Sequence, residues 1–372
     1  MLPSSRRPAL AALLAAAMVA PVRAGQAQTV QGRVLQSPPG APIAGALVVL
    51  QDSAEKDLAQ TASSPSGGYA LSAGRPGRFT VVVRQIGWRT WRSTPFDLAA
   101  GQTYLLTLKV AAETYTLPTI TVEARRPHCS VRLGQDEVVS RLLEVGQTAM
   151  ALAQDAAGSG AMGFATEWYL TRYSPAGELI DSSETTAGLL ASWPIQSALP
   201  DTLARWGFVR TDRPGQRWTD VGIDRGPVYY GLDGRALFSD WFLARHCFRV
   251  GDPKGGEVRV EFTPGQRGGP ADVRGTLTLD QRTLELRRIT FTYVNLPRWI
   301  PSGETGGEVR LRRLRTGAWL PYAWRLRAPV PRVRLGSPDP ALGGWAETGG
   351  RVVAVHRPSG EVDTALTREL TR

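Results

Sequence analysis

Residues 29–124 contain short apolar runs that are separated by turn residues. Gln102–Val110 alternates well, with Tyr104, Leu106 and Leu108 on one face and Thr103, Leu105 and Thr107 on the other. Glycine- and proline-rich segments at 37–42, 65–68 and 74–77 separate such runs. Short strands punctuated in this way are typical of a β-sandwich. The uninterrupted run Val81–Val83 predicts a central strand that is buried on both faces.

The pattern changes after residue 124. Residues 125–135, opened by Arg125-Arg126-Pro127, are predicted to be a linker. Glu137–Ala157 carries apolar residues at helical spacing and precedes Gly158, which predicts one helix. Beyond Phe164 the spacing returns to that of strands, in a long antiparallel series.

The predicted fold class is therefore mainly β. A seven-stranded-type sandwich at 28–124 is followed by a larger curved antiparallel sheet with one packed helix at 136–372. The strands of that sheet are predicted at Trp168–Tyr173, Arg274–Leu279, Glu285–Tyr293, Glu308–Leu314, Ala318–Leu326 and Arg351–His356.

The N-terminus has the order of a secretory signal peptide. Arg6 and Arg7 precede the apolar run Ala9–Val22, and small residues follow at Ala24 and Ala27. The run is shorter than the roughly 18 residues that a membrane-spanning helix needs, so we expect residues 1–27 to be cleaved. An exported protein of the periplasm or of the outer-membrane periphery, without a transmembrane span, is the resulting prediction.

Charge and cysteine content refine this prediction. The net charge is +11, but the arginines are spread along the predicted strands, so we expect no nucleic-acid partner. The two cysteines, Cys129 and Cys247, would lie in an oxidising compartment after export, which favours a disulfide between them. Two separately buried thiols are the alternative.

Five segments of the first region form a specific series: Gln31–Val34, Pro42–Leu50, Ser66–Leu71, Pro76–Phe79 and Ile86–Trp88. Together they resemble the carboxypeptidase regulatory-like domain, a transthyretin-like, immunoglobulin-type sandwich with a carbohydrate-binding-like fold. Ser66-Gly67-Gly68 stands where that family usually has Asp-Gly, and glycine can form the same tight turn. The resemblance covers about a quarter of the chain and implies a binding domain without catalysis.

Residues for catalysis or metal binding are scarce. A zinc carboxypeptidase needs two histidines and a glutamate, with the first histidine and the glutamate three residues apart. None of the three histidines, His128, His246 and His356, has a glutamate at that spacing. The His-Cys pairs at 128–129 and 246–247 could form a tetrahedral metal site, but adjacency of the two histidines to a disulfide is the better explanation. We predict no catalytic residue, no metal and no cofactor.

Tryptophans are the remaining indication of a ligand. We predict that Trp88, Trp91, Trp319 and Trp324 contribute a ligand surface, with ordinary core packing as the alternative. The favoured function is a non-catalytic binding or scaffold protein that recognises an envelope protein, a glycan or a lipid.

Two other functions stay open. A periplasmic lipid or lipoprotein carrier would need a continuous apolar concavity under the sheet, whereas a scaffold would have a filled core and an exposed sheet edge. An unrecognised hydrolase would need carboxylates or histidines that converge in a cleft.

Overall fold

The structure is a computed structural model of the 372-residue chain. It describes residues 28–112, 128–129, 137–158, 162–189, 195, 197–210, 227–266, 268–301, 303–332, 334–335 and 340–371. The signal peptide predicted at 1–27 and nearly all of the predicted linker at 125–135 lie outside these residues.

The first region is a sandwich of two small sheets, as predicted. In one sheet β1 lies between β4 on one side and β8 and β9 on the other, and in the second the order is β3-β2-β5-β6 with β7 also paired to β5. The strands are β1 Thr29–Gln36, β2 Leu47–Asp52, β3 Asp57–Ala62, β4 Gly68–Ser72, β5 Gly77–Arg84, β6 Trp91–Arg92, β7 Phe96–Leu98, β8 Thr103–Leu105 and β9 Leu108–Val110.

The sandwich has seven strands once interrupted strands are counted as one. The segments β6 and β7 both pair with β5, and β8 and β9 both pair with β1 in parallel. Its core contains Tyr69 and Phe79, the aromatic residues of two of the recognised segments. The Tyr69 hydroxyl donates a hydrogen bond of 2.7 Å to the Leu106 carbonyl oxygen, which satisfies its polar end inside the core.

The second region is built on a ten-stranded, wholly antiparallel sheet. Its order is β10-β15-β16-β17-β18-β19-β20-β21-β11-β12, and β13 and β14 form a separate ribbon. The strands are β10 His128–Cys129, β11 Gly163–Tyr173, β12 Leu179–Leu189, β13 Val209–Arg210, β14 Val228–Tyr229, β15 His246–Val250, β16 Glu257–Pro264, β17 Asp272–Asp280, β18 Leu286–Val294, β19 Gly306–Arg313, β20 Trp319–Arg332 and β21 Ala341–His356.

The predicted helix is present as α1, Glu137–Gly158, and it packs on one face of the ten-stranded sheet. Leu142, Val145 and Ala149, which follow the helical spacing, are all buried. Shorter helices accompany this packed helix: α2 Pro200–Trp206, α3 Gly234–Leu237 and α4 Asp240–Arg245. The Asp233 and Ser239 side chains cap the N-termini of α3 and α4. A further helix, α5 Thr364–Thr371, contacts β21.

The sandwich packs against α1, so one face of the sandwich contributes to the core of the second region. Leu47 and Val49 of β2 and Val82 of β5 belong to the core cluster that contains α1 and the ten-stranded sheet. The intervening residues Val48 and Val81 belong to the core inside the sandwich. Both strands are therefore buried on both faces, which explains their uninterrupted apolar sequence.

Candidate functional site

The ten-stranded sheet has two chemically different faces. On the inner face, which α1 covers, one row of paired residues crosses neighbouring strands with apolar side chains apart from one glycine. This row consists of Leu277, Ile289, Val309, Trp324, Gly350 and Trp168. Since side chains alternate between the faces of a strand, the rows on either side of it project from the opposite, outer face.

Those two outer rows are almost entirely polar. One contains Arg288, Arg310, Ala323, Arg351 and Glu167, in register from β18 to β11. The other contains Thr290, Glu308, Arg325, Gly349, Tyr169 and Glu184, in register from β18 to β12. An antiparallel sheet often leaves one face to solvent, so a polar outer face by itself is ordinary.

A cavity of about 360 Å³ distinguishes this part of the outer face. We call it the outer-face cleft and define it by Glu167, Tyr169, Glu308, Arg310, Arg325 and Arg351. Glu184 and the two inner-row tryptophans also border it. Its volume falls within the range of small-molecule sites.

Two adjacent glycines allow the rings to lie close to the sheet here. A Cβ atom on Gly349 would lie 2.5 Å from the Tyr169 ring, and one on Gly350 would lie 2.5 Å from the Trp324 ring. The Tyr169 ring therefore occupies the space beside Gly349 on the outer face, and the Trp324 ring occupies the space beside Gly350 on the inner face. A larger residue at either position would displace the ring that borders the cleft.

The carboxylates of the cleft are paired with arginines. Glu308 is buried and contacts the guanidinium groups of Arg310 and of Arg325, the latter at 3.4 Å. Burial raises the pKa of Glu308, but the hydrogen bond and charge of Arg310, with the charge of Arg325, outweigh it and leave the pKa below its usual value. Glu167 accepts hydrogen bonds from Arg351, with nitrogen–oxygen distances of 2.8 and 2.9 Å.

Tyr169 is also held in place. Its hydroxyl donates a hydrogen bond of 3.1 Å to Glu347. Burial and the neighbouring Glu347 carboxylate raise the pKa of Tyr169 to about 12. The phenol therefore stays protonated near neutral pH and presents a neutral ring and a fixed hydroxyl to the cleft.

The four tryptophans predicted as a ligand surface lie in different places. Trp324 borders the outer-face cleft, although only 4% of it is exposed. Trp88 and Trp91 are partly buried against the sandwich core. The prediction that Trp319 is a surface residue is wrong. Its exposure is 0%, because it belongs to the core that contains α1.

The predicted cysteine pair lies at the other end of the ten-stranded sheet. Cys129 of β10 is directly opposite Cys247 of β15 in the antiparallel register. The disulfide between them stays a prediction that this register supports.

His246, beside Cys247, is engaged in the fold. It is fully buried, and its Nδ1 lies 2.9 Å from the Phe242 carbonyl oxygen. Its Nε2 lies 3.2 Å from the Val273 carbonyl oxygen and 3.2 Å from the Asp272 carboxylate. Both ring nitrogens thus have structural partners, so His246 has no free ligating atom to offer a metal.

Within the described part of the chain, no three histidine, cysteine or acidic residues cluster closely enough to hold a metal ion. In the same residues no helix is long and apolar enough to cross a membrane.

Sequence reasoning missed most of the cleft. Its residues come from four strands that are separated by up to 184 positions in the chain, as the Glu167–Arg351 pair shows. The alternation of arginines along β19 indicated one polar face, but not which other strands would lie beside it. Only Trp324 belonged to the predicted ligand surface.

Comparison with protein families supports the first region. Residues 29–111 match the carboxypeptidase regulatory-like domain. The match and the observed sandwich agree with the resemblance of the sequence segments, and these residues form a domain of that type. The match covers less than half of the chain and does not extend into the second region. No curated protein matches the chain.

Solved structures resemble parts of the chain only distantly. A 5-hydroxyisourate hydrolase of Klebsiella pneumoniae aligns over 24% of this chain and 89% of its own, with 17% identity and a TM-score of 0.20. The LolA superfamily protein NE2245 of Nitrosomonas europaea aligns over 57% and 92%, with 9% identity and a TM-score of 0.24. The major pilin subunit BcpA of Bacillus cereus aligns over 80% and 92%, with 7% identity and a TM-score of 0.19. Similarities this weak carry no functional argument.

Proposed function

We propose that this chain is a non-catalytic binding protein of the cell envelope, and that its outer-face cleft binds a neutral, hydroxyl-rich ligand such as an oligosaccharide. The regulatory-like domain would brace the sheet through α1. The observation that carries the proposal is the balanced charge of the cleft.

The balance is visible in the lining residues. Three glutamates and three arginines line the cleft, and pairing holds the side chains of Glu167 and Glu308 in place. Exposed guanidinium N–H groups can donate hydrogen bonds, and carboxylate oxygens can accept them. A sugar hydroxyl does both, and an aromatic ring such as that of Tyr169 offers a face to its C–H groups. A strongly charged ligand would be repelled by the side chains of like charge in the cleft as well as attracted by those of opposite charge.

A hydrolase is less well supported by the same groups. Glycoside hydrolysis needs one carboxylic acid with a raised pKa to protonate the leaving oxygen. The arginines shift the pKa of Glu308 in the opposite direction, below its usual value. Glu308 therefore suits a fixed hydrogen-bond acceptor better than a general acid.

A lipid carrier is less well supported because the inner face is occupied. The apolar concavity that a carrier would use is packed with α1, whose Leu142 and Leu143 are fully buried. A scaffold would have this filled core and an exposed sheet edge, and β12 is an edge strand with Leu179 and Ile180 more than half exposed.

The test is a binding screen followed by matched variants. The purified chain is applied to an array of peptidoglycan fragments and lipopolysaccharide core oligosaccharides, and positive ligands are titrated by calorimetry. We expect Arg351→Gln to weaken binding at least tenfold, because it removes donors from the cleft and frees Glu167. Arg274→Gln is the control, since Arg274 is an exposed arginine outside the cleft whose Nε donates to Thr292.

Two outcomes would contradict the proposal. One is an array without any saturable oligosaccharide ligand. The other is a ligand whose affinity is unchanged in Arg351→Gln but lost in Trp91→Ala, which would move the site to the sandwich.

Export belongs to the same proposal and rests on residues 1–27 and on the cysteine register. We expect the chain recovered from the periplasm to begin at Gln28 and to have a mass two hydrogens below that of the reduced form. A cytoplasmic chain that retains Met1, or a mass equal to that of the reduced chain, would contradict it.

A further inference from the structure

A second cavity lies at the junction of the sandwich with the second region. It has a volume of about 440 Å³ and borders β3, the C-terminal half of α1, the turn before β20, and α5. We call it the junction cavity. Much of its wall is apolar, with Leu152, Met162, Ala318 and Leu366 among the lining residues. It is separate from the outer-face cleft, with which it shares no lining residue.

One carboxylate in the junction cavity has no cationic partner among the residues that the structure describes. Asp155 of α1 accepts a hydrogen bond of 3.0 Å from the Ala62 backbone N–H, across the junction with the sandwich. No described arginine, lysine or histidine forms an ion pair with it. Burial raises the pKa of the Asp155 carboxyl, and the Ala62 hydrogen bond lowers it only in part. A carboxylate on an apolar wall without a counter-charge is energetically unfavourable.

The other acidic group of this cavity is already balanced. Asp363 accepts backbone hydrogen bonds from Ala365 and Leu366 at the start of α5. It also pairs with Arg357 at 3.3 Å. His356 Nδ1 lies 2.9 Å from the Gly360 carbonyl oxygen, to which it donates. Asp155 is therefore the acidic group of the cavity to which a ligand could add a missing interaction.

We propose that the junction cavity binds a molecule with an apolar body and a protonated amine, and that the amine pairs with Asp155. The apolar side chains of the cavity contact the hydrocarbon part of the ligand, and the Asp155 carboxylate favours a positively charged head group. The cavity volume suits a small amphiphile. The net charge of +11 opposes general attraction of cations to the protein surface, so an amine that binds tightly must find a local anion.

Three eight-carbon probes with different head groups test the charge preference. Octylamine, octanoate and 1-octanol are titrated into the purified chain at neutral pH, below the concentrations at which they aggregate. We expect octylamine to bind saturably, at least tenfold more tightly than octanoate and more tightly than 1-octanol. Equal affinity for octylamine and 1-octanol would overturn the role of the carboxylate.

Variants locate the site. Asp155→Asn keeps the oxygen that accepts from Ala62 but removes the charge, and should weaken octylamine binding at least tenfold. Asp181→Asn is the matched control, because Asp181 is an exposed aspartate on β12 and pairs with Arg172. Ala318→Trp fills the cavity and should remove binding of octylamine and 1-octanol alike. Circular dichroism and melting curves verify that each variant is folded.

The inference fails if octylamine does not bind, or if it binds Asp155→Asn as tightly as the unaltered chain. The oligosaccharide test uses different residues and a different ligand, so either proposal can fail without the other.

Discussion

The carboxylates of Glu308 and Asp155 show how differently the two cavities are built. Glu308 in the outer-face cleft lies between the guanidinium groups of Arg310 and Arg325, and its pKa is lowered despite burial. Asp155 in the junction cavity has one backbone N–H as its partner, and burial raises its pKa. Within the described residues, arginines therefore neutralise the charge of Glu308, whereas no cationic side chain pairs with Asp155.

This difference follows from the positions of the two sites on the sheet. Outer-face side chains stand beside polar neighbours from adjacent strands, so oppositely charged groups meet across the register. Asp155 belongs to a helix that fills the space between the sandwich and the sheet. Many of the side chains there are apolar and pack against one another. The polar groups of the outer-face cleft are already held in place for hydrogen bonding. In the junction cavity, the Asp155 carboxylate can still pair with a cation from a ligand.

The largest expected effect is a difference in the free energy of unfolding between substitutions on the inner face and on the outer face. Leu277 is fully buried on the inner face, while its neighbour Thr276 lies on the outer face. Leu277→Ala should lower the free energy of unfolding by about 2–5 kcal/mol, because it leaves a void under α1. Thr276→Ala should change it by no more than about 0.5 kcal/mol. Urea denaturation measures both, and equal losses would contradict the assignment of the two faces.

An intermediate effect is expected at Glu308. Glu308→Gln should lower the free energy of unfolding at pH 7 by about 1–3 kcal/mol, because it weakens charged hydrogen bonds. Since the folded-state pKa is lowered, the stabilisation by Glu308 is present above its unfolded-state pKa. It is lost as the pH falls through the folded-state value.

Denaturation of both proteins from pH 7 down to pH 3 measures this dependence. The stability difference between the unaltered chain and Glu308→Gln should therefore shrink in acid. A difference that does not change with pH would mean that Glu308 acts through its shape and not through its charge.

The smallest effect, of opposite sign, is expected at Asp155. Asp155→Asn should raise the melting temperature slightly at pH 7, because it removes a desolvated charge and keeps the Ala62 hydrogen bond. A raised folded-state pKa means that the protonated Asp155 contributes stability at low pH. This contribution is lost as the pH rises through the folded-state value.

Melting curves of both chains across the acidic range provide the measurement, with Asp181→Asn as the control. The advantage of Asp155→Asn should grow as the pH rises from acid to neutral. A variant that is less stable than the unaltered chain at pH 7 would show that Asp155 has a compensating partner.

The sequence by itself determined the features that depend on local spacing. Helix α1 begins at the predicted Glu137 and ends one residue later than predicted. The turn glycines and the aromatic residues of the sandwich also follow from local rules, because a glycine in a tight hairpin and a ring between two sheets serve the same physical purpose in any context. The continuous apolar sequence of β5 likewise predicted burial on both faces.

Only the tertiary structure decided what covers those faces and which polar residues meet. Val82 is buried in the core cluster that contains α1 because the sandwich packs on the second region, and no local pattern specifies the partner of a buried face. Glu167 meets Arg351 because β11 pairs with β21, which follows it by more than 160 residues. Register between distant strands is a property of the whole sheet, so the cleft and the junction cavity emerge only when the strands and α1 have packed.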